Sequence, residues 1–244
     1  MSGGTRTAIV VGVGAEAGLG ATLGRRLAQT GRHVFLAGRT AARLEAVAAA
    51  IGERGGLATA IVADATSESD VGRLFDTAVR TGTLDCVIYN AGNNVSKPIR
   101  ELEAKTFEDT WRVGCLGGFL VGREAARRMV PGGSGTILFT GASASLRGRA
   151  TFAAFAAAKA GLRAVAQSMA RELGPAGIHV AHIVIDGGIA GERLRMNRPE
   201  RVQQAGEDGL LDLEAIADAF LFVLEQPRSA WTHELDLRPF KETF

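Results

Sequence analysis

Short runs of β-branched and apolar residues alternate with helical patterns along nearly the whole chain. The runs are TAIVVGV, HVFLAG, LATAIVA, LDCVIYN, GTILFTG, IHVAHIVI and THELDL. Helical patterns lie near 18–30, 40–54, 67–80, 101–130, 151–174 and 212–225, and Thr40, Ser67 and Asp212 are suitable N-caps. This alternation is typical of βαβ crossovers, which build a parallel sheet covered by helices on both faces. The sequence therefore predicts an α/β fold.

The chain is predicted to form one domain over residues 1–244. Its length and its 46% of apolar residues suit a single core, and no repeat or long linker divides it. The stretch 187–209, rich in Arg and Gly, is the least regular and is predicted to be a mobile substrate lid.

Composition and the absence of targeting signals argue against a membrane or a nucleic acid as partner. No apolar run approaches the ~18 residues of a membrane span, and MSGGTRTAIV does not resemble a secretion signal. We therefore expect a cytoplasmic protein with no membrane partner. The net charge of +2 and the dispersed arginines predict no nucleic-acid partner.

No metal site is predicted. Cys86 and Cys115 are the only cysteines and lie in apolar contexts, so we expect reduced core residues. His179 and His182 are three residues apart on a predicted strand and should point to opposite faces.

A glycine-rich loop follows the first strand and opens the first helix, where backbone N–H groups can bind a phosphate. Two registers fit this loop. Gly12, Gly14 and Ala17 match G-x-G-x-x-G/A, whereas Gly14, Gly18 and Gly20 match G-x-x-x-G-x-G. Either register predicts a dinucleotide at this strand end.

The end of the second strand favours NADP(H) over NAD(H). An acidic residue about 20 residues past the loop would bind the ribose hydroxyls of NAD(H). Arg39 stands there instead, and a guanidinium suits a 2′-phosphate. Arg39 as a solvated helix-start residue is the alternative. Asp64, after the third strand, could bind an adenine amino group or cap a turn.

These motifs, in this order, resemble the short-chain dehydrogenase/reductase family over essentially the whole chain. The resemblance rests on Gly14 to Gly20, with Val13 where the family has threonine, and on Asp64-Ala65, Asn90-Ala91-Gly92 and Lys159. It implies a doubly wound, Rossmann-type parallel sheet of seven strands, with a nicotinamide cofactor across the strand ends. The implied cofactor contacts are Gly14, Gly18, Leu19, Gly20, Arg39, Asp64, Ala65, Asn90, Ala91, Gly92, Lys159, Gly187 and Ile189.

The family's catalytic Asn, Ser, Tyr and Lys are matched only in part. The usual intervals place them at Gly114, Ala142, Phe155 and Lys159, so only the lysine is present. The single tyrosine, Tyr89, precedes Asn90 and cannot take the place of Phe155. Lys159 should hold the nicotinamide ribose, as the family's lysine does; the alternative is an ordinary surface lysine.

Lys159 and Ser143 are the predicted catalytic residues. Ser143 and Ser145 lie close to Ala142, and either could turn inward. Asp186 could be a replacement acid or a turn-forming residue, and a water held by Lys159 is a further possible proton source.

Three functions remain open from the sequence. The first is an NADP(H)-dependent oxidoreductase acting on an unknown carbonyl or alcohol with a nonstandard proton donor. The second is a non-catalytic dinucleotide-binding sensor or oligomer partner. A lyase or isomerase on the same scaffold is a more distant third.

Two clusters predict partners. Arg147 and Arg149, with the lid arginines Arg193, Arg195, Arg198 and Arg201, suit an anionic small-molecule substrate, or form a solvated face. Gly114, Gly117, Gly118 and Gly122 give one helix a smooth face, and the family resemblance implies a homodimer or homotetramer built on such helices.

Overall fold

The fold is described by a computed structural model for residues 4–242, so residues 1–3 and 243–244 of the predicted domain lie outside it. The strands are β1 (Arg6–Val11), β2 (His33–Gly38), β3 (Leu57–Val62), β4 (Thr83–Tyr89), β5 (Gly135–Thr140), β6 (Ile178–Ile185) and β7 (Glu234–Leu237). All seven pair in parallel in the order β3-β2-β1-β4-β5-β6-β7. The predicted doubly wound seven-stranded sheet is confirmed.

Helices cover both faces of this sheet. They are α1 (Leu19–Gln29), α2 (Ala41–Gly52), α3 (Glu68–Thr81), α4 (Ala104–Trp111), α5 (Gly117–Met129), α6 (Ala153–Leu173), α7 (Glu192–Asn197), α8 (Pro199–Ala205) and α9 (Leu213–Leu224). Among residues 4–242, no helix is long and apolar enough to cross a bilayer.

The central strands are buried on both faces, which explains their continuous apolar sequences. In β1, Ala8 and Val10 pack into the core beneath α1 and α9, and Ile9 packs into the core beneath α3 and α5. The strand order reverses between β1 and β4. In open sheets of this kind, ligands bind at that reversal, beyond the carboxyl ends of the strands.

The helix predicted over 101–130 differs from the observed structure. The helical path begins at Ala104 and contains a π-helical turn at Arg112–Leu116 between α4 and α5. The hydroxyl of Tyr89 donates a hydrogen bond to the carbonyl of Val113 within that turn. A side chain bonded to a helix carbonyl competes with the regular ladder, and the pattern of apolar residues carries no sign of this contact.

The predicted caps are confirmed only in part, and the predicted lid segment has regular structure. Ser67 and Asp212 accept backbone hydrogen bonds as N-caps, whereas Thr40 makes no side-chain cap. The segment 187–209 is not irregular, because it contains α7 and α8. Its role as a mobile lid stays a prediction.

Candidate functional site

A cleft of about 1040 Å³ lies at the carboxyl ends of the strands. Its walls come from the segments that follow β1 to β6. The predicted site residues that line it are Gly14, Gly18, Leu19, Gly20, Arg39, Asp64, Ala65, Asn90, Ala91, Gly92, Ser143, Lys159, Gly187 and Ile189. The fold thus brings every predicted binding and catalytic residue to one place.

The glycine-rich loop is pressed against the end of β4. Gly12 has φ +95°, and a Cβ there would lie 2.4 Å from the backbone nitrogen of Ala91. Asn90 Nδ2 donates to the carbonyl oxygen of Gly12 at 3.2 Å. By contrast, a Cβ at Gly14 would meet no atom within 4 Å, so Gly14 faces open space. The loop therefore has a closely packed base and an exposed backbone edge that an anion can approach.

Two arginines stand at the β2 end of the cleft. Arg39 is exposed and lines it as predicted. Arg43, which sequence reasoning missed, lines it too from the first turn of α2. The sequence carried some signal, because Arg43 lies only four residues after Arg39, in the helix that follows the predicted 2′-phosphate site.

Asp64 caps a turn, which is one of the two roles that the sequence left open. Its Oδ1 accepts hydrogen bonds from the backbone nitrogen and the hydroxyl of Thr66, both at 2.8 Å. An adenine contact from Asp64 stays a prediction.

Lys159 lies at the bottom of the cleft, and its interpretation as a surface residue is wrong. It is 5% exposed, and its Nζ donates to the carbonyl oxygen of Thr140 at 2.7 Å. Burial lowers the pKa of this ammonium to about 8. A Cβ on Gly92 would lie 3.4 Å from Nζ, so the amine is close to the end of β4.

The other three tetrad positions carry no acid or amide. Phe155 lines the cleft one helical turn before Lys159, and Ala142 lines it from the segment after β5. Gly114 is closed off, because a Cβ there would lie 2.7 Å from the Cβ of Ala158 in α6. An asparagine at 114 would not fit this crossing of the π-helical turn and α6.

Of the two candidate serines, Ser143 lines the cleft and Ser145 turns away from it. Ser145 Oγ accepts from the backbone nitrogen of Ala142 at 3.1 Å and lies 3.3 Å from His182 Nε2. The proposal that either serine could face inward therefore holds for Ser143 only.

Sequence reasoning missed a buried polar chain behind this loop. His182 Nδ1 lies 3.0 Å from Glu234 Oε2, and Arg163 binds both oxygens of the same carboxylate. Burial lowers the pKa of His182 to about 4, so the ring is neutral at neutral pH. A carboxylate only accepts, so Nδ1–H donates to Glu234 and Nε2 accepts from the hydroxyl of Ser145.

The two cysteines are buried and free, as predicted. Burial raises the pKa of Cys86 to about 12 and also raises that of Cys115, so both stay thiols. Neither lines the cleft.

Comparison with known proteins decides the family. The protein-family model described as short chain dehydrogenase matches residues 7–201 of this chain. The chain belongs to the short-chain dehydrogenase family. A short-chain dehydrogenase from Rhodopseudomonas palustris has a similar structure, with a TM-score of 0.83 and 40% identity over 96% of this chain and 99% of that one.

Two further proteins show how widely the similarity extends. Cis-4-hydroxycyclohexanecarboxylate dehydrogenase of Sinomonas cyclohexanicum is 33% identical over 174 residues, which are 70% of each chain. A metagenomic short-chain oxidoreductase, described as a complex with NADP, has a TM-score of 0.82. It is 23% identical over 98% of this chain and 99% of that one, a level that supports the fold alone.

Asp186 at the end of β6 forms buried ion pairs. It is 1% exposed, and its Oδ2 lies 2.7 Å from Arg238 Nη2 and 3.1 Å from Arg147 Nη2. Both sequence interpretations, a replacement acid and a turn-forming residue, missed this arrangement. Asp186 holds Arg147 in the wall of the cleft and joins the end of β6 to the segment after β7.

Proposed function

We propose that this member of the short-chain dehydrogenase family binds NADP(H) and reduces a small carbonyl compound, or oxidises the corresponding alcohol, with a proton donor other than tyrosine. The observation that carries the proposal is the retained cleft, with an open phosphate loop at one end and a buried lysine at its floor. Bound NADP(H) would supply or accept a hydride, chemistry that the side chains of this chain cannot provide.

The residues of the cleft fit a phosphorylated dinucleotide. The open backbone at Gly14, next to the start of α1, suits a pyrophosphate. Arg39 and Arg43 suit a 2′-phosphate, because two guanidinium groups offer forked donors to its oxygens.

Lys159 and Ser143 are the proposed catalytic residues. With a pKa lowered to about 8, Lys159 Nζ carries a proton at neutral pH and gives it up more readily than an exposed lysine. The hydroxyl of Ser143, which faces the cleft, would donate a hydrogen bond to the substrate oxygen. A small hydroxy compound as substrate is supported by the relative named for cis-4-hydroxycyclohexanecarboxylate.

A second candidate function is dinucleotide binding without turnover. It is favoured by the closed packing at Gly114 together with the ring of Phe155, because both remove groups that the family uses for proton transfer. Single-turnover oxidation of bound NADPH against a panel of ketones and aldehydes separates the two. Carbonyl-dependent oxidation supports the enzyme, and its complete absence with bound NADPH supports the second candidate.

The cofactor assignment is tested by fluorescence titration of NADPH and NADH. We expect NADPH to bind at least tenfold more tightly, and the double variant Arg39→Gln/Arg43→Gln to lose that preference with NADH affinity unchanged. Arg80→Gln on the exposed face of α3 is the control. Tighter binding of NADH, or equal NADPH affinity in the double variant, would refute the assignment.

We also propose a homodimer or homotetramer built on α4 to α6. Phe107, Trp111 and Phe119 are large apolar side chains that are each 38–40% exposed on this surface. Light scattering after gel filtration would give the mass in solution, and a monomer at micromolar concentration would contradict the proposal.

A further inference from the structure

The predicted lid, the segment 187–209, is held over the cleft by backbone contacts. Ile189, near its start, forms a parallel β-bridge with Leu211, just after its end, and Ala190 N donates to Leu211 O at 2.8 Å. Glu192 N donates to the carbonyl oxygen of Ala17 at 2.8 Å, which ties α7 to the glycine-rich loop. The position of the lid therefore does not depend on its arginine side chains.

Two cleft arginines outside the lid are already compensated by carboxylates. Arg147 pairs with Asp186, and Arg149 Nη2 lies 3.5 Å from Glu242 Oε1. These ion pairs leave little free positive charge on the wall that follows β5.

The lid arginines that line the cleft are different. Within residues 4–242, Arg198 and Arg201 form no hydrogen bond or ion pair through their side chains, and both line the cleft. Arg193 reaches across to the carbonyl oxygen of Gly92, at 3.4 Å. Of the lid carboxylates, Glu192 lines the cleft and forms no ion pair within residues 4–242, whereas Glu200 and Glu207 do not line it. Three guanidinium groups thus face one carboxylate at this end.

Arg201 is too far from Arg39 to bind the same phosphate. Its Nε lies 3.7 Å from the position of a Cβ on Gly188, just after β6, whereas Arg39 follows β2, and β1, β4 and β5 lie between these strands. Four strand spacings amount to about 19 Å. A 2′-phosphate held at the β2 end would therefore leave Arg201 without an anion.

Apolar side chains line the cleft beside the lid. Phe152 and Phe155 contribute aromatic rings from the start of α6, and Met196 contributes a flexible thioether from α7. A ligand that fills this end would bury an apolar body against these side chains and extend a charged group toward the lid.

We propose that Arg193, Arg198 and Arg201 bind an anionic group of the substrate, so that the substrate is a carbonyl compound or alcohol with an apolar body and a carboxylate or phosphate. Forked guanidinium donors match the oxygens of either anion, and an excess of one charge in a cleft attracts ligands of the opposite charge. The inference rests on the proposed function, because it assigns a substrate class to the same cleft.

The test uses three ketones that share one apolar ring: 4-acetylbenzoate, 4-acetylphenyl phosphate and the neutral 4-methylacetophenone. Their affinities for the full chain are measured by calorimetry with and without NADP⁺, a combination that allows no reduction. We expect at least one anionic ketone to bind tenfold or more tightly than the neutral one. The carboxylate and phosphate arms show which anion the lid prefers.

The double variant Arg198→Gln/Arg201→Gln should reduce this preference to less than threefold and leave the affinity of 4-methylacetophenone unchanged. Its matched control is Arg80→Gln/Arg171→Gln, which removes two exposed arginines outside the cleft and should keep the preference. Equal affinity of the three ketones for the wild-type protein would overturn the inference. The inference would also be overturned if the control variant lost the preference for anionic ketones to the same extent, or if the lid variant kept it.

A separate titration of NADP⁺ distinguishes this outcome from failure of the proposed function. If NADP⁺ does not bind, the proposed function is wrong, while the arm without NADP⁺ still tests the anion preference by itself. If the lid variant loses NADP⁺ affinity and keeps its preference among the ketones, the arginines bind the cofactor and the inference is overturned.

Discussion

Lys159 Nζ donates to the carbonyl oxygen of Thr140 at 2.7 Å, and this is the one hydrogen bond of the buried amine within residues 4–242. Burial lowers the pKa of Lys159 to about 8 from an ordinary value of 10.5. Between these two values the unfolded chain binds more protons than the folded one, so the free energy of unfolding rises with pH across this window. Below pH 8 the folded state carries the full cost of a buried ammonium.

The variant Lys159→Met should therefore lose this dependence on pH. Relative to the variant, the free energy of unfolding of the wild type should rise by about 2 kcal/mol between pH 8 and pH 10. Urea denaturation at several pH values measures the difference. Lys105→Met is the control, because Lys105 is an exposed lysine paired with Asp109, and it should show no such rise. Parallel curves for the wild type and Lys159→Met would contradict the expectation.

Phe155→Tyr restores a phenol one helical turn before Lys159. A positioned acid contributes about 10²–10⁴ in rate. The variant still lacks the family's asparagine and serine, because Gly114 and Ala142 occupy those positions, so we expect a gain near the lower end. We therefore expect single-turnover NADPH oxidation with a reducible ketone to accelerate by about tenfold or more. Phe152→Tyr is the matched control, since it adds the same hydroxyl elsewhere on the cleft wall. A wild type that is as fast as Phe155→Tyr would show that the missing phenol does not limit the reaction.

Gly114→Ala and Gly72→Ala should change stability in opposite directions. At Gly114 a Cβ would lie 2.7 Å from the Cβ of Ala158, and overpacking of this kind costs about 1–3 kcal/mol. At Gly72, within α3, a Cβ would meet no atom within 4 Å, so alanine should stabilise the helix by up to about 1 kcal/mol. Thermal denaturation of the two variants measures both effects. Equal stabilisation would mean that α6 does not approach residue 114 as closely as described.

The fold was largely predictable because its signals are local. Each strand is a short apolar run between helical patterns, and the phosphate loop lies within a single strand–helix junction. The π-helical turn was not predictable, because it is accompanied by a hydrogen bond between Tyr89 and Val113, which belong to different elements.

The candidate site was likewise predictable only where its signals are local. Its residues were found from short motifs, but whether Lys159 is buried and which serine faces the cleft depends on how α6 and β6 pack. Ser145 and His182 are 37 residues apart, and His182 and Glu234 are 52 residues apart. Only the parallel pairing of β5, β6 and β7 brings them together, and no spacing in the sequence reports that contact.

The pair Ser145 and His182 should hold the segment after β5 that carries Ala142 and Ser143. In Ser145→Ala, the backbone nitrogen of Ala142 loses its acceptor and the buried Nε2 of His182 loses its donor. An unsatisfied buried polar group costs about 1–3 kcal/mol, so we expect a loss of stability in that range. Hydrogen exchange at Ala142 should also accelerate, which reports the loosening directly.

Ser143→Ala provides the comparison that isolates this effect. Ser143 lines the cleft, and its hydroxyl makes no hydrogen bond within residues 4–242, so its removal should change stability by less than about 0.5 kcal/mol. Exchange at Ala142 should then match the wild type. If the two alanine variants behave alike in both measurements, the segment is held by its backbone alone and the buried chain of Ser145, His182 and Glu234 does not position it.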